Sequence, residues 1–338
     1  MPLDGVRFPA GIMPHWKKSV VQGEPDLRSA SKLTDRLSGV LLPITTPFHG
    51  DGAVDLASLR SNISRWNKTG ITGYVVLGST GERVNLGEDE QLRVIATARA
   101  EVPADLIFMA GVGQQSTRGT IQEIEKLTAA VAVDAVLVIT PHFYRTAITQ
   151  AALVAHYRAV ADASPVPIIL YSMPALTGIK IEAGTAAELS QQTKIIGIKD
   201  SSNDVVALQR TIKLVHDDFA VLTGNGTVFR EALSSGACGG ILAVGCVASE
   251  LCLEIFRAVK SGDQPRAERL QNALTPLASA VTTRFGIGGL KAALDNIGYA
   301  GGHVRAPLRS PEDDERAEIQ GCLRAAEQAL LVEAPSPA

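Results

Sequence analysis

The sequence predicts an α/β fold: a (β/α)8 TIM barrel with a C-terminal helical appendix. Three observations predict it. Eight short apolar runs recur at 40–44, 73–77, 106–111, 135–139, 166–171, 195–199, 219–223 and 240–244. Stretches whose apolar residues have helical spacing separate these runs. No G-x-G-x-x-G turn follows the first run, as it would in a doubly wound open sheet, the competing architecture. Eight strand–helix units fit a barrel of about 250 residues.

Taken in order, residues 1–38 form an irregular N-terminal arm. Pro2, Pro9, Pro14 and Pro25 break any long helix. Asp4, Glu24 and Asp26 speak against an organellar transit peptide, which is poor in acids. The barrel domain then spans 39–261. Its helical stripes are Leu56, Leu59 and Ile63; Leu92, Ile95 and Ala96; Ile121, Ile124 and Leu127; and Val154, Tyr157 and Val160. They continue with Leu189; Val205, Leu208 and Ile212; Phe229 and Leu233; and Leu251 and Ile255. Beyond 261 the alternation stops. Helices over 266–280, 288–297 and 311–332 make a C-terminal subdomain (262–332), and 333–338 is a tail.

Composition narrows the function. Apolar residues make up 46% of the chain, enough for a large core, and the net charge of −3 offers no basic field to nucleic acid. No apolar stretch reaches membrane-span length. Cys238, Cys246, Cys252 and Cys322 lack C-x-x-C spacing and read as reduced thiols of a cytoplasmic protein. His142, His156, His216 and His303 are scattered, so neither a metal nor another cofactor is expected.

In a barrel of this kind the chemistry sits at the C-terminal ends of the strands. The sixth run, Ile195-Ile196-Gly197-Ile198, ends abruptly in Lys199-Asp200-Ser201. A lysine at the end of a strand buried on both faces loses solvation, which lowers its pKa and frees an amine for imine formation. The competing reading is a surface lysine paired with Asp200. The second strand ends in Gly78-Ser79-Thr80-Gly81-Glu82. Glycines flanking Ser79 and Thr80 let successive N–H groups converge on one anion such as a carboxylate. A plain βα turn is the alternative there. The fifth strand ends in Tyr171, whose hydroxyl can enter the mouth and relay protons. Together the three describe a site for a 2-oxo acid: nest for the carboxylate, lysine for the carbonyl, tyrosine for the protons.

These motifs, with Thr46-Pro47-Phe48, Thr140-Pro141, Tyr171-Ser172-Met173-Pro174 and Gly197-Ile198-Lys199-Asp200, resemble a known family. It is the pyruvate-dependent, Schiff-base-forming aldolase family that includes dihydrodipicolinate synthase and N-acetylneuraminate lyase. The likeness runs over about 39–308. It implies that Lys199 is the Schiff-base lysine, Tyr171 the proton relay, and Ser79 and Thr80 the pyruvyl-carboxylate ligands. It implies pyruvate and an aldehyde as reaction partners and a homotetramer built as a dimer of dimers. Gly224, Asn225 and Ile241, at the ends of strands seven and eight, are expected to complete the substrate pocket.

Within the family, synthases place an arginine for a second carboxylate where this chain has Leu176. Sialic-acid lyases place acidic side chains where it has Gly226 and Thr227. Arg284-Phe285-Gly286-Ile287, Gly298-Tyr299-Ala300-Gly301-Gly302 and Arg305-Ala306-Pro307-Leu308 resemble most the 4-hydroxy-2-oxoglutarate aldolases, in which Ser201 would contact substrate. The resemblance therefore implies cleavage of 4-hydroxy-2-oxoglutarate to pyruvate and glyoxylate. The alternatives are a synthase-like condensation, a dehydratase of sugar-derived 2-oxo acids, and a non-catalytic 2-oxo acid sensor. One departure stands out. The family's relay includes a tyrosine at the position of Phe143 that reaches across a subunit interface. Here the hydroxyl must come from Tyr144, or from water and Thr80.

Overall fold

The computed structural model describes residues 33–331, so the arm up to 32 and the tail lie outside the described residues. Eight parallel strands close in sequence order: β1 (Gly39–Pro43), β2 (Gly73–Val76), β3 (Ile107–Val112), β4 (Ala135–Ile139), β5 (Ile168–Ser172), β6 (Ile195–Asp200), β7 (Ala220–Thr223) and β8 (Gly239–Ile241). One helix or more follows each strand, and the ring of principal helices is α1 (Leu56–Trp66), α2 (Glu88–Glu101), α3 (Thr117–Ala130), α4 (Gln150–Ala163), α5 (Ala183–Leu189), α6 (Val205–Leu214), α7 (Phe229–Ser234) and α8 (Ser249–Ser261). Several starts are capped as their sequence dictates. The side chains of Asp55, Ser116, Thr149 and Asp204 accept the N–H three residues on.

Alternation along each strand divides the core in two. Val40, Leu42, Tyr74, Val76 and Phe108 face outward against the helices. Leu41, Val75, Ile107, Met109, Leu137, Ile169 and Leu222 fill the barrel itself. Leu33 and Leu37 join this inner cluster, so a turn of helix just before β1 closes the barrel floor.

Strand eight differs from its expected span of 240–244. It ends at Ile241, and Ala243–Cys246 is a 3₁₀ turn. Gly239 pairs with Gly39 so tightly that a methyl on it would overlap the Gly39 backbone. Past Ile241 the chain leaves the sheet, and Val244 and Cys246 are apolar because they pack in the outer core.

The C-terminal subdomain comprises α9 (Gln264–Ser279), a π turn (Ala280–Arg284), α10 (Gly286–Asn296) and α11 (Asp313–Leu331). After α10 the chain returns to the rim of the barrel, where His303 bridges Phe48 just beyond β1. No helix among the described residues is long and apolar enough to cross a membrane.

Candidate active site

Register puts the chemistry in one layer. Ile139 pairs with Tyr171, Tyr171 with Lys199 and Lys199 with Leu222, so four adjacent strands present these side chains side by side. Lys199 is 5% exposed, and its Nζ lies 4.3 Å from the centre of the Tyr171 ring. The surface pairing of Lys199 with Asp200 is overturned. Neighbours on a strand face opposite ways, and Asp200 Oδ1 instead accepts the Ser202 N–H at 2.7 Å. No carboxylate among the described residues pairs with Lys199.

Gly224 is needed as glycine. A methyl there would overlap Ser201 Oγ and stand 2.6 Å from Lys199 Cε. The β7 end thus lies flat against the lysine stem. Ser201 Oγ is itself buried without a hydrogen-bond partner, as are Thr45 Oγ1 and Thr140 Oγ1 at the ends of β1 and β4. Buried hydroxyls without partners are costly, which makes these three available to a bound polar molecule.

The turn after β2 is a nest by its dihedrals. Ser79–Gly81 form one 3₁₀ turn, bracketed by the left-handed residues Leu77 (φ 59°) and Glu82 (φ 55°). The first N–H groups of such a turn, those of Ser79 and Thr80, have no acceptor within it. Gly111 lets this turn approach β3: a methyl on it would stand 2.5 Å from Leu77 O and 2.8 Å from Gly78 Cα. Thr46 Oγ1 donates to Gly81 O at 2.8 Å from the other side. A cleft of about 490 Å³ opens beside the nest, lined by Ser79, Arg83, Gln115, His142 and Tyr171 among others. Tyr171 therefore belongs both to the lysine layer and to the cleft wall.

The remaining expected residues fall differently. Asn225 is committed to the loops: its Oδ1 accepts from the Thr227 N–H at 3.0 Å and the Thr227 hydroxyl at 2.8 Å, and its Nδ2 donates to Ser202 O at 3.5 Å. Ile241 is buried in the inner cluster. Phe143 and Tyr144 are 73% and 70% exposed and meet edge to face, with ring centres 5.0 Å apart. Gln115 Oε1 accepts the N–H groups of His142 and Phe143, each at 2.8 Å, and so anchors the start of that loop.

Sequence reasoning missed the ion pair behind the nest. Lys291 Nζ donates to Glu82 Oε1 and to His303 O, each at 2.6 Å. Burial pulls the Lys291 pKa down, and Glu82 works against that shift. The available signal was a lone lysine in the otherwise apolar run Gly288-Gly289-Leu290-Lys291-Ala292-Ala293-Leu294. Nearby, Arg305 binds Glu90 through both nitrogens, which holds the Glu90 carboxyl down at about 2. His156 is buried, and burial pulls its imidazole down to about 4. No group of three His, Cys, Asp or Glu among the described residues could hold a metal ion.

A closed barrel with its polar groups gathered at the C-terminal rim is the layout of a barrel enzyme. The sequence pattern of the dihydrodipicolinate synthetase family matches residues 36–326, and the chain belongs to that family. The 4-hydroxy-tetrahydrodipicolinate synthase of Methanopyrus kandleri is 35% identical over 83% of this chain and 93% of its own length. A dihydrodipicolinate synthase of Bacillus anthracis superposes with a TM-score of 0.81 at 27% identity, covering 85% of this chain and 97% of that one. A prophage protein of the same family from E. coli K12, solved in complex with pyruvate, superposes with a TM-score of 0.80 at 28% identity over 88% and 99%. The protein is thus an enzyme of the pyruvate-dependent class I aldolase and lyase type, which makes or breaks carbon–carbon bonds.

Proposed function

We propose that the protein cleaves a 4-hydroxy-2-oxo acid, 4-hydroxy-2-oxoglutarate foremost, to pyruvate and glyoxylate through an imine on Lys199. The observation that carries the reading is the buried, carboxylate-free lysine between Tyr171, Gly224 and the partnerless Ser201 hydroxyl. In this reading the N–H groups and hydroxyls of Ser79 and Thr80 hold the C1 carboxylate. Lys199 Nζ attacks C2, and the carbonyl oxygen leaves as water to give an iminium. The proton of the 4-hydroxyl departs, and the C3–C4 bond breaks. Its electron pair passes into the iminium to form an enamine, while C4 leaves as the aldehyde. Protonation at C3 and attack of water at C2 return pyruvate and free Lys199. Tyr171 moves protons at C2, with Ser201 at the departing half. Tyr144 supplies the relay's second hydroxyl from a neighbouring copy in a homotetramer, with Thr80 between them.

Leu176, exposed on the one-turn helix Pro174–Thr177, stands where the synthases place an arginine and so sets this chain apart from them, while the second carboxylate of 4-hydroxy-2-oxoglutarate must find its partner elsewhere on the rim. The second reading is condensation of pyruvate with an aldehyde. It is favoured by relatives that carry the synthase name. Two assays decide. Pyruvate with borohydride should label the wild type, and Lys199→Ala should lose both label and turnover while keeping its circular dichroism. A panel of 4-hydroxy-2-oxo acids should release glyoxylate from 4-hydroxy-2-oxoglutarate. Turnover seen only as condensation of pyruvate with an amino-acid semialdehyde would move the enzyme to the second reading.

A further inference from the structure

We propose that Lys291 is a positioning residue for substrate binding: from the C-terminal subdomain it holds Glu82, and through Glu82 the carboxylate nest at Ser79 and Thr80. The proposal rests on the nest being where the substrate carboxylate binds.

A left-handed residue other than glycine or asparagine is unfavourable by roughly 1–2 kcal/mol. It persists where its surroundings over-determine it. Glu82 is such a residue, at φ 55° and ψ 34°, and it is the last residue of the nest. Its N–H closes the 3₁₀ turn onto Ser79 O at 3.1 Å. Any rotation at Glu82 therefore turns the peptide planes of Ser79 to Gly81.

The carboxylate of Glu82 supplies the over-determination. It is 2% exposed, and its Oε1 takes Lys291 Nζ at 2.6 Å. Its Oε2 accepts the Arg305 backbone N–H at 3.0 Å and Asn85 Nδ2 at 3.3 Å. Lys291, 1% exposed, is tied in turn: Nζ donates to His303 O, and it stands 4.5 Å from the centre of the Phe48 ring. All of these holds except Asn85 and Phe48 come from α10, which carries Lys291, and from the segment that follows it, which carries His303 and Arg305. A buried pair of this kind is poor value as a stabiliser, since desolvation offsets most of its attraction. Its geometry makes sense as a device that fixes one backbone conformation.

Borohydride trapping with pyruvate tests this, read as the pyruvate concentration that gives half-maximal label. In Lys291→Met that concentration should rise about tenfold, the scale of one weakened hydrogen bond to a charge. The label at saturating pyruvate should stay at the wild-type level, because Lys199 is untouched. Lys291→Arg should recover most of the loss. The double variant Glu82→Gln with Lys291→Met separates positioning from stability. Removing both charges should restore the melting temperature lost in the single variant, yet leave half-saturation raised. Half-saturation that returns to wild type together with the melting temperature would overturn the proposal. So would an unchanged value in a folded Lys291→Met. If Lys291→Met does not fold, the double variant alone decides by the same criterion. A wild type that takes no label from pyruvate would instead overturn the reading of the site beneath it.

Discussion

Around one rim, the turn after β2 and the loop after β4 are held by opposite means. The first is strained at Leu77 and Glu82, pressed against Gly111, bonded to Thr46 and tied to a lysine 209 residues downstream. The second, carrying Phe143 and Tyr144, is anchored at its start by one glutamine side chain and turns two aromatic rings to the outside. Groups that must fix a small anion need backbone set to within about half an ångström, and that rigidity has to be supplied from several directions. The aromatic loop has no such brace, and its two rings stand exposed. The first turn is finished within the chain, and the second is finished by a neighbour in the proposed tetramer.

The sharpest way to break this comparison lies on the loop side. Tyr144→Phe should lower kcat by roughly 10²- to 10⁴-fold, the cost of a lost general acid–base group. Phe143→Tyr should change it little, because the relay is already complete. Light scattering run alongside kcat should show the same assembly for both variants. A silent Tyr144→Phe in an intact assembly would leave the loop with packing only. On the lysine side, Gly224→Ala should drop kcat by about 10²-fold, as expected when a reacting group shifts by an ångström. Borohydride labelling should slow in parallel, since the new methyl presses on the Lys199 stem.

The smallest effect concerns the braced side under acid. Glu90 falls from its usual 4.5 to about 2, chiefly through its hydrogen bonds to Arg305. A depressed folded-state pKa contributes stability that is complete above about 4.5 and disappears as pH falls toward 2. The melting-temperature gap between wild type and Glu90→Gln should therefore be widest near neutral pH and narrow steadily below about 4.5. A gap that stays constant across that range would remove Arg305 and Glu90 from the bracing.

How much of this was legible beforehand follows from the range of each interaction. Parallel strands buried on both faces leave continuous apolar runs, so 135–139 and 195–199 could be read almost to the residue. The places of Lys199, Tyr171 and the Gly78–Glu82 turn at strand ends were legible because they interrupt or end such runs. Strand eight was read too long, because the outer core also demands apolar residues and periodicity does not separate the two. The commitment of Asn225 to Thr227 is a choice among hydrogen bonds that spacing leaves open. Leu77 in a left-handed conformation runs against its propensity, and the partnership of Glu82 with Lys291 needs the closed barrel to exist first.

The placing of the lysine at the rim has a consequence for traffic. Among the described residues Leu33 and Leu37 join the inner cluster at one end of the barrel, and Lys199 stands at the other, rim end. The rim is the side from which a molecule reaches the end of β6. In the proposed reaction the pyruvyl half sits deep, on the nest and the lysine, and the aldehyde half faces the rim. The aldehyde therefore leaves first, while pyruvate still blocks the amine. In that reaction free pyruvate in solution competes for the same lysine as the substrate does.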